Sequence, residues 1–197
     1  MTDPALSPCG RLCRAVDRSG EDPIEAACAR LLTPAAKYWV CKTAPAFVYE
    51  AMECLGGNGY VEEGILARHY RESPVNAIWE GSGNVMCLDV LRALSREADA
   101  ALAILRQLSE ETQGLPGAAE TVSLIGKAFR RPDSERVARI AVEKLALLAA
   151  SAALNKVSPH HAELFAASRL AATHASMYGA VDLAPSDVRA LLERALP

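Results

Sequence analysis

Apolar side chains recur at helical spacing throughout residues 22–55, and no other feature of the sequence constrains the fold as strongly. The pattern begins with Asp22 and Pro23, a helix-capping residue followed by a proline at the first helical position. Pro34 and Pro45 fall inside the pattern, where each removes an amide donor and crowds the preceding turn. We therefore expect one long helix over about 22–55 that is kinked by its prolines.

The composition favours packed helices over sheets. Apolar residues make up 51% of the 197 residues, but the aromatic residues that strands favour make up only 5%. Alanine and leucine, both strong helix formers, are abundant, and long alternating strand patterns are absent from the sequence. We therefore predict an all-α fold, a bundle of six or seven helices.

Glycine, proline and capping residues divide the rest of the chain. Ser73 precedes a proline and should avoid the α region, so we expect an extended connector over residues 75–79. A new helix, capped by Ser82 or Asn84, should follow and continue through Leu105 because its apolar residues form one stripe. The other helices predicted in this way lie at about 63–70, 118–130, 133–156, 158–178 and 185–195.

Three regions follow from these breaks. Residues 1–20 lack a helical period and are rich in proline, glycine, serine and aspartate, which predicts a flexible arm with at most a helical turn. The glycine- and proline-rich stretch 113–117 is the clearest boundary in the chain. We therefore expect a helical bundle over 21–114 and an additional helical region over 115–197.

Charge and hydropathy exclude several classes of protein. Residues 1–114 carry 11 basic and 16 acidic residues, whereas residues 115–197 carry 10 and 8, an excess too small to indicate nucleic-acid binding by itself. No apolar run is long enough to span a bilayer, and the amino terminus does not resemble a signal peptide. We therefore expect a soluble, cytoplasmic protein.

The six cysteines predict neither disulfides nor a metal site. They are scattered along the chain, and four of them lie within helical apolar patterns, as reduced core cysteines do. Cys9 and Cys13 form a CxxxC pair, but no second pair at ligand spacing completes a four-ligand zinc site. His160, His161 and His174 likewise lack a framing cysteine or carboxylate pattern, so no metal is predicted.

Two glycine-rich turns and a lone carboxylate between them are the candidate functional residues. Gly56 and Gly57 follow the long helix, and Glu80 stands before a second turn that opens the next helix. Glycine lets backbone amides approach an anion closely, but each turn is equally compatible with a plain helix cap. A glutamate in such a loop is either a solvated or capping carboxylate or a general base, and the residues alone leave both open.

The order of these motifs resembles the carboxy-terminal domain of the acyl-CoA dehydrogenases. The resemblance is carried by LGGNGY at 55–60, YRES at 70–73 and IWEGSGN at 78–84. The longer strings at 29–42 and 70–94 resemble specifically the adaptive alkylation-response branch of the family, the AidB type. The similarity runs from about residue 11 to at least residue 170.

This resemblance implies a flavoenzyme site. In the family, the glutamate that matches Glu80 removes the α-proton of an acyl-CoA while a hydride passes from the β-carbon to FAD. Ser82 and Asn84 match positions that contact FAD, and Gly56 and Gly57 match a turn that receives the adenine-dinucleotide part of FAD from a neighbouring subunit. The resemblance therefore also implies a homo-oligomer.

Family enzymes carry an amino-terminal helical domain and a β-domain before this region, and both contribute to the flavin and acyl-CoA pocket. Neither is evident in the 197 residues, so we expect a carboxy-terminal module that is not active as an isolated chain.

The main alternative is a non-catalytic helical module that binds duplex DNA or a partner dehydrogenase chain, since the AidB type is associated with duplex DNA. Phosphate contacts without base specificity would suit the basic residues of this region, but the small excess of basic charge favours a solvated helix face. The basic residues concerned are Arg92, Lys127, Arg130, Arg131, Arg136 and Arg139.

Overall fold

All regular secondary structure in the described residues is helical, as predicted. The computed structural model describes residues 8–171 and 183–195. Its ten α-helices there are α1 (Pro8–Asp17), α2 (Pro23–Cys54), α3 (Gly57–Tyr60), α4 (Ile65–Glu72), α5 (Gly83–Arg96), α6 (Ala98–Glu111), α7 (Ala118–Phe129), α8 (Ala138–Val157), α9 (Pro159–Arg169) and α10 (Pro185–Ala195). Two short 3-10 helices lie at Ser73–Ala77 and Ser134–Val137. No helix in these ranges is long and apolar enough to cross a membrane.

Helix α2 is the central element, and it begins where the sequence predicts. The Asp22 carboxylate accepts hydrogen bonds from the backbone N–H groups of Ile24, at 2.8 Å, and Glu25, at 3.4 Å. The helix continues through Pro34 and Pro45 without a break. It packs against α1, α3, α4, α5, α6 and α8, so most of the other elements are positioned by it.

Helix α8 supplies much of the apolar core that packs against α2. Val142, Leu145 and Leu148 on α8 are fully buried. They belong to one apolar cluster with Leu31 and Leu32 of α2. Helix α8 also contacts α7 and α9, so the helices before and after residues 113–117 share a core. The domain boundaries predicted at residues 20 and 114 remain a prediction.

The amino-terminal region differs from the predicted arm, because an α-helix spans Pro8–Asp17. Ala15 is fully buried in the common core. The Arg11 guanidinium donates a 2.6 Å hydrogen bond to the carboxylate of Glu25, which is itself buried. Burial disfavours the charged form of Arg11, but the hydrogen bond to Glu25 and the nearby negative charges together outweigh it, so the pKa of Arg11 is raised. Packing thus orders a segment whose own sequence carries only a weak helical pattern.

The prediction of an extended connector at residues 75–79 is wrong. Ser73 has α-region backbone angles despite preceding Pro74, and a 3-10 helix covers Ser73–Ala77. Ser73 is buried, and its hydroxyl donates to the Tyr70 backbone oxygen at 3.1 Å. Because the 3-10 helix packs on α2, tertiary contacts override the local bias of a residue before proline.

The prediction of one helix from about residue 84 to residue 105 is also wrong. The chain breaks at Glu97, which has φ −131° and ψ 51°, and α6 starts at the next residue. Helices α5 and α6 each contact both α2 and α8, and α5 packs mainly on α2. Apolar periodicity does not detect this change of direction, because the stripe resumes after a single residue.

Most other boundaries lie within two residues of the predicted ones, including those of α4, α7 and α10. The helix predicted at 133–156 is observed as a 3-10 turn followed by α8. Helix α9 ends at Arg169, and the remainder of the helix predicted at 158–178 extends into residues outside the described ranges.

Candidate active-site wall

Glu80 lies on a tight turn between the first 3-10 helix and α5. Its φ is +52°, and within residues 8–171 and 183–195 no other residue except glycine has a positive φ. Gly81 follows with φ +111°, and a Cβ atom there would lie 2.2 Å from the Cε of Met86. The Glu80 side chain is exposed. The turn therefore presents a carboxylate to the surface on strained backbone.

Lys37 of α2 binds this turn directly. Its ammonium group donates one hydrogen bond to the backbone oxygen of Trp79, at 2.8 Å, and another to the backbone oxygen of Glu80, at 2.6 Å. Sequence reasoning missed Lys37, because nothing local shows that a lysine on a helix will reach a loop some 43 residues later.

Glu80 borders two open grooves of different character. One, of about 480 Å³, has charged walls that include Arg30, Arg92 and Arg96. The other, of about 520 Å³, is lined by Val40, Cys41, Ala44 and Trp79 together with Lys37 and Asn76. Both grooves are open to solvent. The carboxylate thus stands at the junction of a charged and a mainly apolar surface.

Ser82 and Asn84 lie at the start of α5 beside Glu80, as predicted. Both are exposed, and the Ser82 side chain makes no capping hydrogen bond to the helix. Gly83 between them is buried, and a Cβ atom there would lie 2.8 Å from the Cε of Lys42 and 3.3 Å from the Tyr38 ring. This close packing of Gly83 fixes the start of α5 against α2 and leaves its two polar neighbours facing outward.

Gly56 and Gly57 form the other turn, at the carboxy-terminal end of α2. Gly56 has φ +57°, whereas a Cβ atom on Gly57 would meet no described atom within 4 Å. Lys37 and Leu55 are separated by five turns of α2, or roughly 27 Å at the helical rise of 1.5 Å per residue. The structure therefore does not bring the Gly56–Gly57 turn and Glu80 into one site within a single chain.

The predicted basic cluster is partly occupied by internal contacts. Arg131 makes a bidentate pair with Asp133, at 2.8 and 2.9 Å, and lowers the pKa of that carboxyl through these bonds. Arg136 lies 3.5 Å from the same carboxylate. The Arg139 guanidinium donates to the Tyr38 hydroxyl at 3.2 Å, a bond that raises the pKa of Arg139.

Arg92 pairs with Asp89 on its own helix, at 2.5 Å. Lys127 and Arg130 are exposed. Binding of duplex DNA by this set of residues stays a prediction.

The histidines and cysteines within the described residues do not assemble into a metal site. His160 lies 3.2 Å from the Asp187 carboxylate, and His161 contacts the Ser158 hydroxyl at 2.6 Å. No group of three or more histidine, cysteine or acidic side chains converges there, and all six cysteines are free thiols. His174 lies outside the described residues.

The sequence profile of the acyl-CoA dehydrogenase carboxy-terminal domain matches residues 9–95. AidB of Escherichia coli (strain K12), a protein named as an acyl-CoA dehydrogenase, is 64% identical over 88 residues, which are 45% of this chain and 16% of AidB. Acyl-CoA dehydrogenase family member 11 of Caenorhabditis elegans is 40% identical over 87 residues, 44% of this chain and 14% of that protein. The chain thus spans less than a fifth of the length of either relative.

Solved structures extend the similarity beyond the matched residues. Caenorhabditis elegans ACDH-11 in complex with C11-CoA has a TM-score of 0.68 and 25% identity, covering 95% of this chain and 36% of ACDH-11. The apo form of Bd2924 has a TM-score of 0.67 and 27% identity, covering 76% of this chain and 30% of that one. These likenesses agree with the motifs around Glu80, and they make residues 9–95 similar to the carboxy-terminal domain of the acyl-CoA dehydrogenase family.

Proposed function

We propose that this chain supplies one wall of an FAD-dependent acyl-CoA dehydrogenase site, in which Glu80 is the general base. The observation that carries the proposal is the exposed Glu80 carboxylate, held on a left-handed turn at the start of α5 within a region similar to the carboxy-terminal domain of this family. A carboxylate in this position accepts the α-proton of a thioester bound across the two grooves. FAD, when bound, supplies the acceptor for the hydride that leaves the β-carbon.

The grooves beside Glu80 suit an amphipathic substrate. The first groove is lined by four basic residues, among them Arg96, against the two acidic residues Glu80 and Asp89, and this excess of positive charge would attract the phosphates of an acyl-CoA. Val40, Ala44 and Trp79 offer an apolar surface to the acyl chain on the other side. ACDH-11, whose structure resembles this chain, was solved with C11-CoA. We therefore assign an acyl-CoA thioester as the substrate class.

The residues at the two turns fit a flavin cofactor. Gly57 has open space where a Cβ atom would stand, so nothing in the described chain requires glycine there, and a closely approaching ligand explains it. Ser82 and Asn84 are exposed polar residues beside Glu80, and the Ser82 side chain makes no capping hydrogen bond to α5. We assign Ser82 and Asn84 to the flavin that serves Glu80 of the same chain.

The Gly56–Gly57 turn belongs to a second site. It lies too far along α2 from Glu80 to share one flavin with that carboxylate in the same chain. We therefore assign it to the adenine-dinucleotide part of a flavin held mainly by a neighbouring copy. The same region exposes large apolar side chains, among them Leu55, Tyr60 and Ile65 at 57–78% exposure, which a second chain would cover.

The site as it stands in these 197 residues is open to water on both sides of Glu80. Exclusion of water and orientation of the α-carbon require walls that these grooves lack. We therefore propose that turnover needs further residues of an acyl-CoA dehydrogenase, and that the isolated chain does not turn over acyl-CoA.

The test is reconstitution. The chain is produced alone and together with the part of E. coli AidB that lies outside the match, and each preparation is examined for flavin absorbance and native mass. We expect bound FAD and a mass above that of one copy in the combined preparation. A Gly57→Val variant should lose flavin there, whereas Gly20→Val, on an exposed loop remote from both turns, should not.

The proposal fails if the combined preparation is colourless and stays so after FAD is added. The assignment of the Gly56–Gly57 turn to the flavin of a neighbouring copy fails if Gly57→Val retains FAD as the unchanged chain does.

A further inference from the structure

The Lys37 side chain makes two hydrogen bonds to the turn that carries Glu80, the proposed base. One ammonium group donates to two successive backbone oxygens, those of Trp79 and Glu80, at 2.8 and 2.6 Å. Charged donors form stronger hydrogen bonds than neutral ones, and two bonds from one group fix both position and direction. The contact therefore ties the peptide planes on each side of Glu80 to helix α2.

The turn needs such a restraint. Glu80 has φ +52°, a conformation that non-glycine residues adopt only when their surroundings enforce it. Gly81 adds a second positive φ, of +111°, directly after it. Trp79 is 59% exposed, so its side chain does little to hold this backbone in place. The two bonds from Lys37 to backbone oxygens give α2 a direct polar contact with the turn.

Lys37 is placed on rigid structure. It is half-buried near the middle of the 32-residue helix α2, one turn after Pro34. Its neighbour Tyr38 is buried against Gly83, where α5 begins. Helix α2 thus contacts the chain at two places around Glu80. Tyr38 packs against Gly83 after the turn, and Lys37 donates hydrogen bonds to the turn itself.

We propose that Lys37 is a positioning residue, which holds the Trp79–Glu80–Gly81 turn in the conformation that presents the Glu80 carboxylate to a substrate. The catalytic part of this role rests on the proposed function of Glu80, while the restraint of the turn does not. Lys37 acts through backbone oxygens, so a side chain without donors at position 37 should free the turn and leave the helical fold in place.

Tryptophan fluorescence tests the restraint in the full chain. The sequence has two tryptophans, and a Trp39→Phe background leaves Trp79 as the only reporter. Fluorescence anisotropy and acrylamide quenching then report the mobility and exposure of Trp79 itself. Lys37→Met removes the donors at similar size, and Lys37→Arg keeps a charged donor. Lys144→Met is the matched control, because Lys144 also donates to a backbone oxygen, that of Arg169 at 3.0 Å, which is not part of this turn.

We expect Lys37→Met to lower the anisotropy of Trp79 and to raise its quenching constant about twofold, with an unchanged far-ultraviolet circular dichroism spectrum. Lys37→Arg should recover part of the difference, and Lys144→Met should match the background protein. If Lys37→Met and Lys144→Met give the same Trp79 signals, the restraint by Lys37 is refuted.

Kinetics in the reconstituted enzyme test the catalytic part. We expect Lys37→Met to lower kcat at least tenfold with little change in KM, because the base is misplaced while binding surfaces remain. An unchanged kcat in a variant with a loosened Trp79 would overturn the positioning role. Absence of turnover in the unchanged enzyme would overturn both the proposed function and the catalytic part of the role of Lys37. The fluorescence of Trp79 would still test the restraint of the turn, because that measurement does not depend on turnover.

Discussion

A Cβ atom on Gly59 would lie 2.2 Å from the backbone oxygen of Met52, so the turn after α2 packs directly onto the backbone of that helix. Gly56 and Gly59 complete the turn through the 3.0 Å hydrogen bond from the Gly59 N–H to the Gly56 oxygen. The GGNG motif thus combines a glycine that packing demands with one, Gly57, that packing leaves free.

Gly59→Ala should therefore destabilise the fold, while Gly57→Ala should not. Backbone atoms of Met52 cannot move aside as a flexible side chain could, so we expect Gly59→Ala to lower the free energy of unfolding by about 1–3 kcal/mol. Gly57→Ala, with open space around it, should stay within about 0.5 kcal/mol of the unchanged chain. Urea denaturation measures both, and equal effects would show that Gly59 does not pack against the Met52 backbone.

Gly117 should be far less replaceable than Gly114, although both have positive φ values, of 72° and 84°. A Cβ atom on Gly117 would lie 2.4 Å from the Ala171 nitrogen, whereas one on Gly114 would meet nothing within 4 Å. Alanine at either position costs about 1–2 kcal/mol through backbone strain. Gly117→Ala should cost about 1–3 kcal/mol more through the clash. Equal unfolding midpoints for the two variants would show that Gly117 does not lie against the backbone of Ala171.

Removal of Arg11 should weaken the attachment of α1. Arg11→Met leaves the buried Glu25 carboxylate without its 2.6 Å partner, which should cost about 1–3 kcal/mol of unfolding free energy. Arg14→Met is the control, since Arg14 is 53% exposed and lies 3.9 Å from Glu25. Its loss should cost about 0–1 kcal/mol. If thermal denaturation shows a smaller loss of stability for Arg11→Met than for Arg14→Met, Arg11 is not the main partner of Glu25.

Glu53→Gln should strengthen flavin binding in the reconstituted enzyme. Glu53 is exposed at the end of α2, and its backbone oxygen accepts the 3.0 Å hydrogen bond from Gly56. A carboxylate beside a pyrophosphate repels it, so its neutralisation should lower the Kd for FAD roughly two- to fivefold at low salt. Glu50→Gln, nearly one turn earlier on α2, is the control and should have a smaller effect. An unchanged or raised Kd would place the pyrophosphate elsewhere.

Local chemistry accounts for the parts of the fold that the sequence predicts well. Asp22 and Pro23 begin α2 because capping and the fixed φ of proline act within a few residues. The break at Glu97 and the α-region backbone of Ser73 escaped prediction, because helix packing rather than neighbouring residues decides them. Helix α1 belongs with these, since its order comes from Ala15 in the core and the Arg11–Glu25 pair.

The candidate site shows the same division. Glu80, Ser82 and Asn84 are close in sequence, so motif order was enough to place them on one turn. Lys37 could not be found in this way, because its contact with Glu80 depends on how α2 crosses the turn. One ion pair of the basic cluster is also local in sequence, because Arg131 pairs with Asp133 two residues away.

The most direct test of the account is reduction of bound FAD by an acyl-CoA in the reconstituted enzyme, followed by stopped-flow bleaching of the flavin absorbance. We predict rapid bleaching by the enzyme with Glu80 and at least a thousandfold slower bleaching by Glu80→Gln, with FAD content unchanged because the carboxylate serves proton abstraction and not cofactor binding. Bleaching by Glu80→Gln at the rate of the unchanged enzyme would contradict the assignment of Glu80 as the base.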